Sequence, residues 1–223
     1  MQINVIPFDP SIISLSAERH NRRSPGIHLS TIIRDRLITA GIQRYSSSSK
    51  VQTTDEKHLT FEKGYLWESM VQEYINTPEW GRIEWDFFAT RHLHQAINDS
   101  IQLSGGHITR PGEQQMDGIY LTPDAINIRT FSVEEWKATA IRAKNLNIPE
   151  RKPEWLWQAA SYARKFGLTR AIIRVWHHAD TPPSVQQVVV DWTEEEIESN
   201  WKGLLEHYEY MKEKGRATAS GKV

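Results

Sequence analysis

The stretch from Phe131 to Gly167 constrains the fold more than any other part of the chain. In FSVEEWKATA, residues Phe131, Val133, Glu135 and Lys137 fall on one parity, the alternation of a β-strand with two distinct faces. A polar, loop-like segment from Ala143 to Lys152 follows. PEWLWQAASYARKFG then reads as a helix, with Pro153 at a favoured opening position and Gly167 closing it. Ala171–Trp176 and Val185–Asp191 are two further strands. Thr193 and Glu196 form a capping box that starts a helix running to about Gly215.

Upstream, Gln115–Leu121 reads as a strand with Asp117, Ile119 and Leu121 on one face, and Thr122-Pro123-Asp124-Ala125 as a turn. Ile126 and Ile128 share a parity opposite to that of Phe131 and Val133, which predicts a bulge or bend near Arg129–Thr130. Apolar spacing predicts an amphipathic helix over Glu62–Asn76, and a short helix after Ser30 through Ile32, Ile33, Leu37 and Ile38. Trp85–His94 fits strand or helix equally, and Ser46–Lys50 is a loop. Helices and strands in this order describe an α/β (α+β) domain with a central mixed sheet flanked by helices. At 223 residues the expectation is a single domain, with an irregular segment over 1–26 and a loose tail over 216–223.

Composition removes several chemistries. The chain has no cysteine, which excludes disulfides, thiolate zinc, iron–sulfur clusters and cysteine nucleophiles. With 27 Lys and Arg against 28 Asp and Glu, a nucleic-acid surface would have to be a local basic face. No apolar run is long enough for a transmembrane helix, and MQINVIPFDP lacks a signal-peptide pattern, so a cytoplasmic protein is expected.

The chemistry-bearing residues are Asp117 beside Gly118 and the triplet Glu135-Trp136-Lys137. Glu135 and Lys137 project from one strand face. If the two strands pair, Asp117 joins them, and two carboxylates converge with one ammonium. Carboxylate oxygens suit hard cations such as Mg²⁺, which leave room for a substrate phosphate. A neighbouring Lys can orient or deprotonate an attacking water, or neutralise transition-state charge. The same residues also satisfy a cross-strand salt bridge at a sheet edge. On the following helix, Gln158, Tyr162 and Lys165 form one polar stripe opposite Leu156, Ala159, Ala160 and Ala163. Glu68, flanked by Trp67, Met70 and Val71, is a carboxylate at the border of an apolar helix face, open to metal or to solvent. Arg142, Lys144, Arg151, Lys152, Arg164 and Lys165 flank these motifs and could track phosphates or form a solvated face.

In that order, Glu68, Asp117-Gly118, Glu135-Trp136-Lys137 and Gln158-x-x-x-Tyr162 resemble the PD-(D/E)XK nuclease superfamily, in its RecB-like and phage lambda-exonuclease-like branch. The resemblance spans roughly Ser30 to Lys165, and Met116 stands where the family pattern has proline before the first acid. It implies a restriction-endonuclease-like core and a Mg²⁺-dependent deoxyribonuclease, with Mn²⁺ as a substitute. By resemblance, Glu68, Asp117, Glu135 and the Trp136 carbonyl hold metal, Lys137 positions the attacking water, and Gln158 and Tyr162 support the site. The basic residues then contact DNA. A 5′→3′ exonuclease of phage type, used in recombination or repair beside a single-strand annealing protein, is the implied role. It would be cytoplasmic, in the host if phage-encoded, and could form a homo-oligomer. A structure-specific or nicking endonuclease and a silent DNA-binding module are the alternatives.

Overall fold

The computed structural model describes residues 26–42, 108–109, 111–181 and 184–216. Glu68 and its expected helix, the segment Trp85–His94, the loop Ser46–Lys50 and the tail after Arg216 lie outside the described residues. Among the described residues the chain forms β1 (Ile27–His28), α1 (Leu29–Thr39), β2 (Ile108–Thr109), β3 (Gln114–Met116), β4 (Ile119–Leu121), β5 (Ala125–Asn127) and β6 (Ser132–Thr139). The short α2 (Ile148–Arg151) and α3 (Pro153–Phe166) follow, then β7 (Arg170–His177), β8 (Ser184–Asp191) and α4 (Glu194–Glu213). These elements build two mixed sheets flanked by helices, an α+β architecture.

The larger sheet has the order β2-β5-β6-β7-β8. β6 and β7 run parallel in a register pairing Val133 with Ala171 and Glu135 with Ile173. Parallel neighbours require a crossover, and α3 supplies it. β5 pairs antiparallel to β6, and β8 antiparallel to β7. The smaller sheet, β1-β4-β3, sits apart from this ladder.

Helix boundaries follow the chemistry of their ends. Gly167 caps α3 with φ 64°, a conformation that costs glycine little. The Thr193–Glu196 capping box is complete: each side chain accepts from the other residue's backbone N–H, at 3.2 and 2.8 Å. Helix α1, however, begins after His28, not Ser30, and has no side-chain cap.

Two strand readings and one loop reading change. Gln115–Leu121 is not one strand but a hairpin turning at Asp117 and Gly118, with φ values of 50° and 77°. Positive φ at both central residues defines the tight turn for which Asp-Gly is a preferred pair. The parity change near Arg129 comes from a hairpin turn between β5 and β6, not a bulge. The segment from Ala143 to Lys152 is not all loop. It contains a 3₁₀ turn (Ala143–Asn145) and α2, whose Ile148 is buried.

The main core lies between the helices and the sheets. Helix α1 contributes Leu29, Ile32, Ile33 and Leu37, α3 contributes Ala159, Tyr162 and Ala163, and α4 contributes Ile197, Trp201, Leu204 and Met211. Val133 and Ala171 meet them from the larger sheet, and Ile119 and Leu121 from the smaller. Truncating a buried indole such as Trp201 costs about 3–5 kcal/mol. A second cluster packs Ile148 and Trp155 on Ile173 and Val175. The face of β6 carrying Val133 therefore looks toward α3, and Glu135 and Lys137 share it.

Candidate active site

Strand β6 carries acid on both faces, and the fold treats the two differently. Glu134 is fully buried on the reverse face, where Arg174 of β7 grips it through Nε at 2.6 Å and Nη2 at 2.9 Å. Asn127 donates to the same carboxylate at 3.1 Å, and Gln187 accepts from Arg174 Nη1 at 2.9 Å. That set satisfies its own charges and belongs to the architecture.

Glu135 and Lys137 lie on the α3 face. The Lys137 ammonium is ion-paired with the Glu135 carboxylate, whose side chain is 1% exposed. It also lies 3.9 Å from Asp124 Oδ2 and donates to Gln158 Oε1 at 3.4 Å. Gln158 Nε2 donates in turn to the Tyr162 hydroxyl at 2.7 Å. Two carboxylates, one ammonium, an amide and a phenol thus form one connected group.

Asp124 is the acid that the sequence reading missed. The β5–β6 register pairs Ala125 with Glu134, so Asp124, one residue earlier, falls opposite Glu135. Its carboxylate is held there by the Trp136 backbone N–H at 2.6 Å. A residue's N–H and C=O leave a strand on the same side, so the Trp136 carbonyl faces this edge too. Pro123 precedes Asp124. The signal that could have found it is the eleven-residue separation of Asp124 from Glu135, hidden because Thr122–Ala125 reads as a turn.

The expectation for Asp117 is corrected. β4 pairs with β1 and β3, not with β6, and Asp117 sits in the hairpin turn. There its Oδ2 accepts from Trp201 Nε1 at 2.8 Å and faces Arg164 Nη1 at 3.8 Å. It ties the hairpin to α4.

The helix stripe divides. Gln158 and Tyr162 join the site, and Tyr162, on the helix's polar stripe, is buried. Lys165 instead donates to the Gln115 carbonyl at 2.9 Å. Arg164 bonds Glu198 at 2.8 Å and stacks near Trp201 at 5.6 Å. These contacts tie the two residues to the hairpin and α4. Lys152 pairs with Glu154 at 3.5 Å and lies over the Trp155 ring. Arg142, Lys144 and Arg151 are exposed on the connection after β6.

A cavity of about 80 Å³ adjoins Gln158 and Tyr162 and is lined by His28, Leu29, Ser30, Tyr120 and Thr122. His28 stacks on Tyr120, with centroids 5.4 Å apart, and approaches Glu113 at 3.9 Å. His177, by contrast, is a core histidine between the Ile141 carbonyl and Gln186.

Electrostatics fix the protonation states. Burial pulls the Lys137 pKa down, but the carboxylates of Glu135 and Asp124 outweigh it and hold the ammonium above its ordinary value. Burial and the Glu135 carboxylate push the Tyr162 phenol upward, against smaller opposing effects of Lys137 and Gln158. At neutral pH the site therefore holds an ammonium and a neutral phenol.

The donor set fits a hard divalent cation. Asp124, Glu135 and the Trp136 carbonyl offer oxygen only, and Mg²⁺ is commonly held by one or two carboxylates plus waters and substrate phosphate. No cluster of three or more acidic or histidine donors occurs among the described residues.

No protein-family model matches the chain, and no curated protein matches it. Among solved structures it is similar to that of SSO0001, at 14% identity over 88% of this chain and 84% of that one, with a TM-score of 0.37. It is also similar to a phage related exonuclease from Haemophilus somnus, at 12% identity over 88% of this chain and 99% of that one, with a TM-score of 0.38. Backbone likeness this shallow defines no fold, so the site stands on its own geometry.

Proposed function

We propose that this chain is a metal-dependent DNA nuclease that hydrolyses phosphodiester bonds. The observation that carries the reading is the convergence of Asp124 and Glu135 on Lys137, opposite the Gln158–Tyr162 pair. A structural ion pair needs one acid per ammonium. Here two carboxylates and a lysine share one edge, with hydrogen-bonding groups aimed at them from a second element.

Asp124 and Glu135, with the Trp136 carbonyl, would hold Mg²⁺ or Mn²⁺, and Glu68 is a proposed further ligand. The cation supplies Lewis acidity toward the scissile phosphate and makes a water acidic enough to attack. Lys137 would act beside the cation, as a charge and hydrogen-bond donor toward the phosphate oxygens or by orienting the attacking water. A donor of this kind is worth about 10²–10³ in rate. Gln158 orients Lys137 through its carbonyl oxygen, and Tyr162 holds the Gln158 amide in place. Exposed Arg142, Lys144 and Arg151 would contact DNA phosphates.

Within this class the preferred role is a 5′→3′ exonuclease of phage type, acting in recombination or repair beside a strand-annealing protein. The support is the order of motifs along the chain, now with Pro123-Asp124 as the first acid. End-labelled linear duplex and closed circular DNA, each with and without Mg²⁺, test both levels. Linear duplex should disappear only with Mg²⁺ while circles survive, and Asp124→Asn and Glu135→Gln should each lose at least about 100-fold, as loss of an essential electrostatic contact predicts. Nicking of circles by wild type alone would replace the exonuclease with an endonuclease. Wild-type activity in both variants would remove this site from the chemistry.

A further inference from the structure

Where α1, α3 and α4 meet, the fold seats a cation that it does not pair. Arg36 of α1 lies over the Trp157 ring of α3, its guanidinium carbon 4.7 Å from the ring centroid. Its Nη2 passes Gly203 of α4 so closely that an added Cβ there would come within 3.2 Å. Glycine weakens a helix interior, and at this point it makes room for the guanidinium.

Nη1 is cut off from water without a hydrogen-bond partner, and among the described residues no carboxylate pairs with Arg36. A guanidinium has five N–H donors, and desolvating them unmet is costly. The Glu134–Arg174 pair shows how the same fold satisfies a guanidinium that serves architecture alone.

Arg36 lines a cavity of about 520 Å³, within the range of ligand-sized pockets, about 300–1,000 Å³. Leu156, Trp157 and Trp192, all half-buried, give it apolar and aromatic walls. Asn200 also lines it and commits its amide group to the Trp157 carbonyl at 3.1 Å and to Ser161 Oγ at 3.2 Å. What Asn200 has left to offer is its carbonyl oxygen, an acceptor. Glu195 and Glu196, both exposed, form an acidic rim.

We infer that this junction is a docking site for the C-terminal residue of a partner polypeptide, one that ends in a bulky apolar side chain. The terminal carboxylate meets Arg36, the side chain lies against Trp157 and Trp192, and the residue's backbone N–H donates to Asn200 Oδ1. Charge selects this occupant. A nucleic-acid strand brings a phosphate every few ångströms and sets several of them against Glu195 and Glu196, whereas a chain end brings one carboxylate. An internal apolar segment brings no anion for Arg36. The site uses neither Asp124 nor Glu135 and stands independently of the nuclease reading.

The test is a titration of the full chain, read from the indole N–H signals of Trp157 and Trp192 in ¹H–¹⁵N spectra and assigned with Trp157→Phe and Trp192→Phe. The probes are two tetrapeptides of sequence Ala-Ala-Leu-Phe, one with a free C-terminal carboxylate and one amidated. The free acid should shift both signals, and the amide should bind about tenfold more weakly or worse, as loss of a charged hydrogen bond predicts. Arg36→Gln should reduce the affinity for the free acid to that for the amide, with a thermal midpoint near wild type because no ion pair is broken. Ser199→Phe, at an exposed position lining the cavity, fills it without altering Arg36 and should abolish binding of both peptides. Equal binding of acid and amide, or binding of neither, would overturn the inference. Signals that move with protein concentration alone would give the junction to a second copy of the chain, and displacement of the peptide by a short DNA duplex in metal-free buffer would give it to nucleic acid; either outcome overturns it too.

Discussion

Lys137 acts as an internal counter-ion for two carboxylates that would otherwise be buried side by side. Its side chain is 16% exposed and that of Asp124 is 14% exposed, so the pairing is poorly screened by water. Removing one partner of such a pair costs about 3–5 kcal/mol, because the remaining charge stays buried. Lys137→Met should therefore lower the metal-free thermal midpoint clearly. It should also enlarge the stabilisation by Mn²⁺ relative to wild type, since a cation then relieves an uncompensated pair. Differential scanning fluorimetry with and without Mn²⁺ reads both changes, and an unchanged metal-free midpoint would contradict the counter-ion role. The pH dependence follows from the direction of the shift. A lysine whose folded pKa is raised gives its full stabilisation below its unfolded pKa, about 10.4, and loses it as pH climbs through the folded value. The advantage of wild type over Lys137→Met should thus be level from neutrality to about pH 10 and shrink only in stronger alkali.

At the level of elements, the β3–β4 hairpin and α4 form a brace separate from the proposed chemistry. Asp117 joins them through the Trp201 indole, and Arg164 adds a longer contact. Asp117→Asn keeps an acceptor and tolerates a positive φ, so activity should stay near wild type. Trp201→Phe removes the donor and should cost about 1 kcal/mol by urea denaturation, again with little effect on cleavage. A large activity loss in Asp117→Asn with unchanged stability would return that acid to the site. These elements also show what the sequence disclosed. α3 and α4 were legible because Pro153, Gly167, Thr193 and Glu196 mark their boundaries by local hydrogen-bond chemistry. The hairpins were not, for two reasons. β3 has only three residues, too few for alternation to show a break at Asp117. The even-numbered loop after β5 reverses parity as a bulge would, and the Asn127 contacts that distinguish them are tertiary. Glu135, Lys137, Gln158 and Tyr162 were legible as a set because spacing within one strand or helix fixes their faces. Asp124 depends on pairing between strands, which spacing does not give.

Across the whole molecule, the larger sheet keeps two groups of charge apart on opposite faces of one strand. Glu134 and Arg174 anchor the reverse face, where both side chains are no more than 1% exposed. Arg174→Met leaves Glu134 buried without its guanidinium and should cost about 3–5 kcal/mol, far more than any exposed pair. Because Asn127 leans on Glu134, the same variant should loosen the β5–β6 turn, giving faster amide exchange at Arg129 and Thr130. Slow exchange there, in a folded variant, would show that the turn holds itself.

The same long-range anatomy has a consequence in time. Glu134 meets Arg174 only 40 residues later in the chain, and Asp117 waits 84 residues for Trp201. At a translation speed of about 5–20 residues per second, those intervals last several seconds. Met211, in the last turns of α4, still belongs to the core that α1 begins with Leu29. A growing chain therefore cannot close this core until nearly all of the described residues have left the ribosome. On the proposed chemistry, a copy truncated before α4 lacks the core beneath the site and should be inert toward DNA.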